Sequence, residues 1–410
     1  VIPSPEHTPA PSQEQAPAFP EAPTATALGP WPGVDPEEAA KVSVGVFPGP
    51  HLPFLPQLPA RGPGSEQVGR TAVLLQELAV DTQPYGWRFV DRPGLDFRRA
   101  ESALSTDINV LADVVGAAGL SPESLKVQVV GPFSLAAAIH LHYGERALAD
   151  YGARRDIAQS LAAGLEVHAR KVQAAVPGAA LTLQVDEPHI GAILAGSIPT
   201  ASGYRTLRSV GRAEVRQCWN DLCAAARNAG FEQVALNLTP AETGLGQASS
   251  LSLPGPANGA NGQKSSGNTN GLSAESEQWR RGLEMALECG VDAVALPLQL
   301  LDAGHWEHLA GAIESGLGIW AGTVPAGLLT AGTLPAGAGA ASAGQVPPSY
   351  AVLVERIMRP WRKLGLADSG LNQLRITPEG SLAGVSPQAA RAVLGRSLEV
   401  AAALGDTRNS

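Results

Sequence analysis

Two adjacent carboxylates, Asp186 and Glu187, end the apolar run LTLQV and stand just before Pro188 and His189. A carboxylate at the end of a buried run can pair an ammonium through a charge-assisted hydrogen bond, or act as acid or base if burial raises its pKa. Neighbouring strand residues point to opposite sides, so one of the two is expected in a pocket. The local alternative is that Asp186 caps the following helix or accepts from a nearby backbone amide. A second carboxylate, Glu379, sits in the turn TPEGS after another β-like run, NQLRIT.

The remaining chemistry-bearing residues are scattered. Cys218, Cys223 and Cys289 make neither a CxxC pair nor a disulfide framework, and they read as buried thiols of a reducing compartment. His140 and His142 are two apart and cannot share a helix face. His305 and His308 are three apart and can, but two residues do not make a metal site.

Composition limits the partners. The chain has 410 residues, a formal net charge of -9 and no basic patch interleaved with aromatics, so nucleic acid is not expected. No apolar run is long enough to span a membrane without Gly or Pro interrupting it, and the first twenty residues do not read as a signal peptide. The cytoplasm is the expected location and a small molecule the expected partner.

The elements that would position these residues alternate. Short apolar runs at 25–29, 86–90, 126–131, 181–187, 233–238, 292–298, 317–322 and 372–377 read as strands. Several are apolar throughout, as strands covered on both faces are. Helical periodicity marks 98–119, 156–176, 212–230, 276–290 and 386–404, the last with Ser386 as N-cap and Pro387 at the first helical position. Eight strands in βα order predict an α/β fold, a (β/α)8 TIM barrel over residues 24–404, with a doubly wound sheet as the alternative. Residues 1–23 read as a disordered Pro-rich arm, and 405–410 as a tail. Low-complexity stretches at 241–275 and 326–348 read as surface insertions or, alternatively, a lid. In a barrel the pocket lies at the C-terminal ends of the strands, which is where Asp186 falls.

Several stretches together resemble one family. KVQVVGPFSLAAAI, LTLQVDEPHIGA, TALGPWPGVDPEEAAK, HLPFLPQLPARGPGSEQVGRTAVLL, QPYGWRFVDRPG and TPEGSLAGVSPQAAR are similar to segments of the cobalamin-independent methionine synthase family. The likeness is to its C-terminal catalytic barrel and its short actinobacterial-type members, and it covers nearly all of 24–404. The resemblance implies a methionine synthase or uroporphyrinogen decarboxylase-like barrel. In the family reaction zinc activates a homocysteine thiolate, which takes a methyl group from a methyl-folate. It also implies that Asp186 contacts the amino group of a homocysteine-like amino acid. Glu187 and Ser134 are the other substrate-binding candidates, and Trp31, Trp87 and Trp320 are candidates for aromatic lining or, equally, for core packing. Arg61 and Arg70 read as surface charge or as contacts to an anionic ligand.

The positions matching the family's zinc ligands read Asn237, Thr239, Pro297 and Gly380. None is a zinc ligand of the expected kind. No metal or other cofactor is therefore assigned. Three expectations remain: a methionine synthase-like methyltransferase whose activity is lost or metal-independent, a non-catalytic amino-acid or pterin-binding barrel, and a metal-independent lyase or decarboxylase using Asp186, Glu187 or Glu379.

Overall fold

The computed structural model describes residues 20–240, 269–326 and 348–408. The predicted arm up to residue 19, the stretches 241–268 and 327–347 of the two insertions, and residues 409 and 410 lie outside the described residues.

The chain enters through strand β1 (Thr24–Ala25) and helices α1 (Pro36–Val46) and α2 (Gln67–Ala72). Strands β2 (Ala79–Gln83) and β3 (Gly86–Val90) precede helix α3 (Leu95–Ala117). Then come β4 (Ser124–Val130), α4 (Pro132–Ala138), α5 (Tyr151–Ala175), β5 (Ala180–Asp186), α6 (Ile190–Ala195) and α7 (Arg212–Asn228). The second half runs β6 (Phe231–Asn237), α8 (Thr269–Leu287), β7 (Ala293–Pro297), α9 (Ala303–Glu314) and β8 (Gly318–Val324). Helix α10 (Tyr350–Lys363), β9 (Leu374–Pro378) and α11 (Pro387–Arg408) complete it. α8 begins inside the stretch read as the first insertion, and α11 continues through most of the predicted tail. Ser386 caps α11 as expected, its hydroxyl accepting from the Ala389 amide at 3.2 Å.

Seven strands form one parallel sheet in the order β1-β9-β8-β7-β6-β5-β4. β7 and β8 are buried at every residue, as their uninterrupted apolar sequence requires. The predicted strand at 86–90 exists but does not join this sheet. The turn at Pro84 and Tyr85, with Gly86 at φ 123, folds β3 back on β2 as an antiparallel hairpin.

The two edges of the sheet are bridged instead by the extended segment 52–57. On one side Leu52 N donates to Ala25 O and Gln57 N to Gly29 O, each at 3.0 Å. On the other, Leu55 N donates to Lys126 O and Lys126 N to Pro53 O, each at 2.9 Å. Pro53 and Pro56 remove two ladder donors, so this segment does not read as a strand. Ser43 of α1 compensates by taking the Phe54 N–H and returning its own hydroxyl to Phe54 O.

Most of the core lies between sheet and helices, but a separate small cluster of Leu28, Leu52, Ala235, Ala293, Ala295 and Trp320 packs apart from it. Beside this cluster is buried Lys126. Its Nζ lies 5.6 Å from the Trp320 ring centroid, while the Arg375 guanidinium carbon lies 5.3 Å from it. Among the described residues no helix is long and apolar enough to cross a membrane.

Candidate functional site

β5 carries Thr182, Gln184 and Asp186 two residues apart, which puts them on one face of the strand. Asp186, the last residue of β5, is 2% exposed, and its carboxylate is held by three side-chain amides. Oδ1 accepts from Gln184 Nε2 at 2.7 Å and from Asn237 Nδ2 at 2.8 Å; Oδ2 accepts from Gln67 Nε2 at 2.9 Å. Gln184 in turn accepts from Lys126 Nζ at 2.6 Å. The cation is thus one amide removed from the carboxylate, and among the described residues Asp186 makes no ion pair. Burial pushes the Asp186 carboxyl up to about 6, against the opposing pull of the Asn237 and Gln184 bonds and the Lys126 charge. The same burial lowers Lys126 well below the usual lysine range.

Helix α2 lies over the ends of β4 and β5, where Thr71 Oγ1 accepts from Val130 N at 2.9 Å. Several contacts fix it there. Arg61 grips Asp107 of α3 with both terminal nitrogens, at 2.7 and 2.6 Å, and buried Arg70 pairs with the same carboxylate. Glu66 accepts from Trp87 Nε1 at 2.6 Å and from the Gly64 and Gly69 amides. Arg61 and Arg70 are therefore neither free surface charges nor free anion contacts; they anchor the segment that brings Gln67 to Asp186.

Glu187 divides from its neighbour as strand alternation requires. Its carboxylate accepts from the Phe133 and Ser134 amides at 3.1 and 2.8 Å, at the start of α4, and from Trp219 Nε1 of α7 at 3.3 Å. It is fully buried, and burial lifts its carboxyl to about 6. Ser134 is buried too, and its Oγ accepts from His189 N at 3.3 Å. The partners of Glu187 and Ser134 thus tie β5 to α4 and α7, whereas those of Asp186 lie on β5, β6 and α2. Trp31, Trp87 and Trp320, read as lining or as core, are buried at 1%, 4% and 3% exposure.

The four positions matching the family's zinc ligands do not form a donor set. Asn237 spends its amide on Asp186 and on the Thr239 N–H, which it accepts at 3.0 Å. Pro297 and Gly380 have no side-chain ligand atom to offer. Among the described residues no three His, Cys, Asp or Glu side chains converge to hold a metal ion. The cysteines stay protonated thiols: burial raises Cys218 and lifts Cys223 to about 12 and Cys289 to about 11. His305 caps α9 with Asp302, and His308 turns to Gly304 O, so the two do not converge. Zinc does not fit these residues.

Glu379, at the end of β9, has a side chain 11% exposed and lies 3.5 Å from Arg356. Burial raises its carboxyl to about 7 despite that arginine. Gln67, Gln184 and Lys126 were missed by the sequence reading. The period-two row Thr182–Gln184–Asp186 could have revealed Gln184. Nothing local points to Gln67, 119 residues from Asp186.

No family model matches the chain. No curated protein matches it. Among solved structures it is similar to a methyltransferase from Methanosarcina mazei, at 12% identity and a TM-score of 0.44, over 92% of this chain and 94% of that one. That likeness is too distant to bear on activity.

Proposed function

We propose that residues 24–404 form one closed (β/α)8 barrel, with 52–57 as its eighth stave, that binds a small amino-acid ligand by its ammonium group at Asp186. The closure is supported by the hydrogen bonds of 52–57 to both sheet edges. The ligand reading is carried by one observation: Asp186 is a buried carboxylate at a strand end, fixed by three neutral amides and making no direct ion pair among the described residues, with the Lys126 charge one amide away across Gln184. Such a group gains most from an incoming cation, because its desolvation is already complete and its orientation already set.

On this reading the chain is a cytoplasmic member of the methionine synthase-like family by descent, with a homocysteine-like amino acid as the ligand. Metal-thiolate chemistry is not assigned to it, since the described residues offer no zinc donor set. Calorimetric titration with L-homocysteine and with its desamino analogue 4-mercaptobutanoate tests the reading. The amine is expected to bind the wild-type protein in the presence of a chelator, and binding is expected to be lost in Asp186→Asn. Equal binding of both ligands, or an Asp186→Asn variant that binds as well as wild type, overturns it.

Glu379 favours a second reading, a metal-independent lyase or decarboxylase. A carboxyl held near 7 can both give and take a proton at neutral pH. That reading requires turnover to follow a single ionisation near pH 7 and to vanish in Glu379→Gln.

A further inference from the structure

We infer that a small monovalent anion, with chloride as the expected species, binds against the Arg375 guanidinium at the N-terminal end of the parallel strands. This site is independent of the Asp186 reading and lies toward the opposite end of the sheet.

Arg375 is the second residue of β9 and stands in register with Thr24 of β1 and Trp320 of β8, whereas Asp186 ends β5. Its Nε donates to Thr24 Oγ1 at 3.0 Å. Its Nη1 is buried with no hydrogen-bond partner among the described residues, and no carboxylate there draws on its charge. Lys126 does not compensate, being a second cation beside the same indole. The Arg375 guanidinium carbon lies 5.3 Å from the Trp320 centroid and Lys126 Nζ 5.6 Å from it, and Lys126 bonds the neutral amide of Gln184.

A buried charge without a counter-ion is costly. Burial lowers the Arg375 guanidinium to about 10, and the charge on Arg375 helps to lower Lys126 in turn. An anion at Arg375 answers both strains at once.

The space for it is present. A cavity of about 20 Å³ is bordered by Thr24, Ala293, Gly318, Trp320, Gln373 and Arg375. Ala293 and Gly318 are too small to fill the ground beside the indole. A cavity of that size takes a particle like a water molecule or a halide ion, and suits either better than a tetrahedral oxyanion.

The polar groups around the cavity suit an acceptor. The Thr24 hydroxyl accepts from Arg375 and still has its own hydrogen to give. Gln373 Oε1 is buried without a partner, and turning that amide over presents its Nε2 donors instead. One cation with neutral donors matches a single negative charge. Asp292 also borders the cavity, but its charge is already answered: Oδ2 accepts from Val234 N at 2.7 Å and Oδ1 from Arg227 at 3.1 Å. A water molecule could fill the same space, but it would bring no charge.

Urea unfolding of the full chain in sodium chloride and in sodium gluconate at equal ionic strength separates the two. The folded-to-unfolded ratio is expected to rise about tenfold from no chloride to about 100 mM, as one site with a Kd of about 10 mM requires. Arg375→Met is expected to fold, since it removes an uncompensated buried charge, and to lose this chloride dependence. Crystals of the wild-type protein grown in bromide are expected to show an anomalous peak beside Arg375, a result that does not depend on the variant folding. Equal stability in chloride and gluconate overturns the inference and leaves water in the cavity. A chloride effect that persists in Arg375→Met, or the absence of a bromide peak at Arg375, also overturns it. None of these outcomes touches amine binding at Asp186.

Discussion

Asp186→Asn keeps the shape of the side chain and removes its charge, and the stability change it causes should depend on pH. In the folded chain the carboxyl is raised from 3.8 to about 6, chiefly by burial. A carboxyl raised on folding contributes stability that is fully present below its unfolded pKa and is lost as pH rises through the folded value. At 1.36 kcal/mol per unit, the ionised form at pH 7 costs about 3 kcal/mol relative to a neutral isostere. Asn retains Oδ1 as the acceptor for Gln184 and Asn237, and its Nδ2 meets a Gln67 amide that can turn over to present oxygen. Lys126 loses the attraction of the Asp186 charge, which trims the gain. The variant should therefore be more stable than wild type by about 1–3 kcal/mol at pH 7.5, and nearly equal to it at pH 4. Urea unfolding of both proteins at several pH values measures this directly. A stability difference that does not vary with pH, or an Asn variant less stable at pH 7.5, refutes the idea of an ionised carboxylate held at a desolvation cost.

Three further substitutions separate structure from site. Glu187→Ala leaves two backbone amides and the Trp219 indole without their acceptor. It should lower stability by about 3 kcal/mol or more in urea unfolding, while a functional Asp186 still accounts for any amine binding that remains. Asp107→Ala strands Arg70, which is 4% exposed, and should cost about 3–5 kcal/mol by the same measurement. Arg356→Ala removes the one charge that draws the Glu379 carboxyl down among the described residues, so carbon-detected NMR titration should find that carboxyl titrating higher in the variant than in wild type.

Strands β4 to β9 were legible because buried parallel strands need apolar runs, and those runs are present. The place of Asp186 at the buried end of β5 was legible for the same reason, because the run it ends is the strand. The bridging segment 52–57 was not legible, since Pro53 and Pro56 erase the strand pattern and the compensating Ser43 lies on a preceding helix. Residues 86–90 have the aromatic and β-branched content of a strand, and they form one. Their pairing partner, however, is chosen by the turn at Pro84 and Tyr85 and not by their own composition. Arg61 and Arg70 looked like surface charges because Asp107 lies 46 and 37 residues away on another helix. Gln67 has the same difficulty: a contact across 119 residues leaves no local trace.

The pH dependence of amine binding tests the role of Asp186 most directly. An ammonium pairs with the ionised carboxylate, so protonation at about 6 must compete with it. Affinity for L-homocysteine should fall about tenfold between pH 7 and pH 5 in wild type. It should level off above pH 7 until the ligand's own amine titrates. No pH-dependent binding should remain in Asp186→Asn. Affinity that stays flat from pH 5 to 7 in wild type would mean that the carboxylate of Asp186 does not hold the ligand.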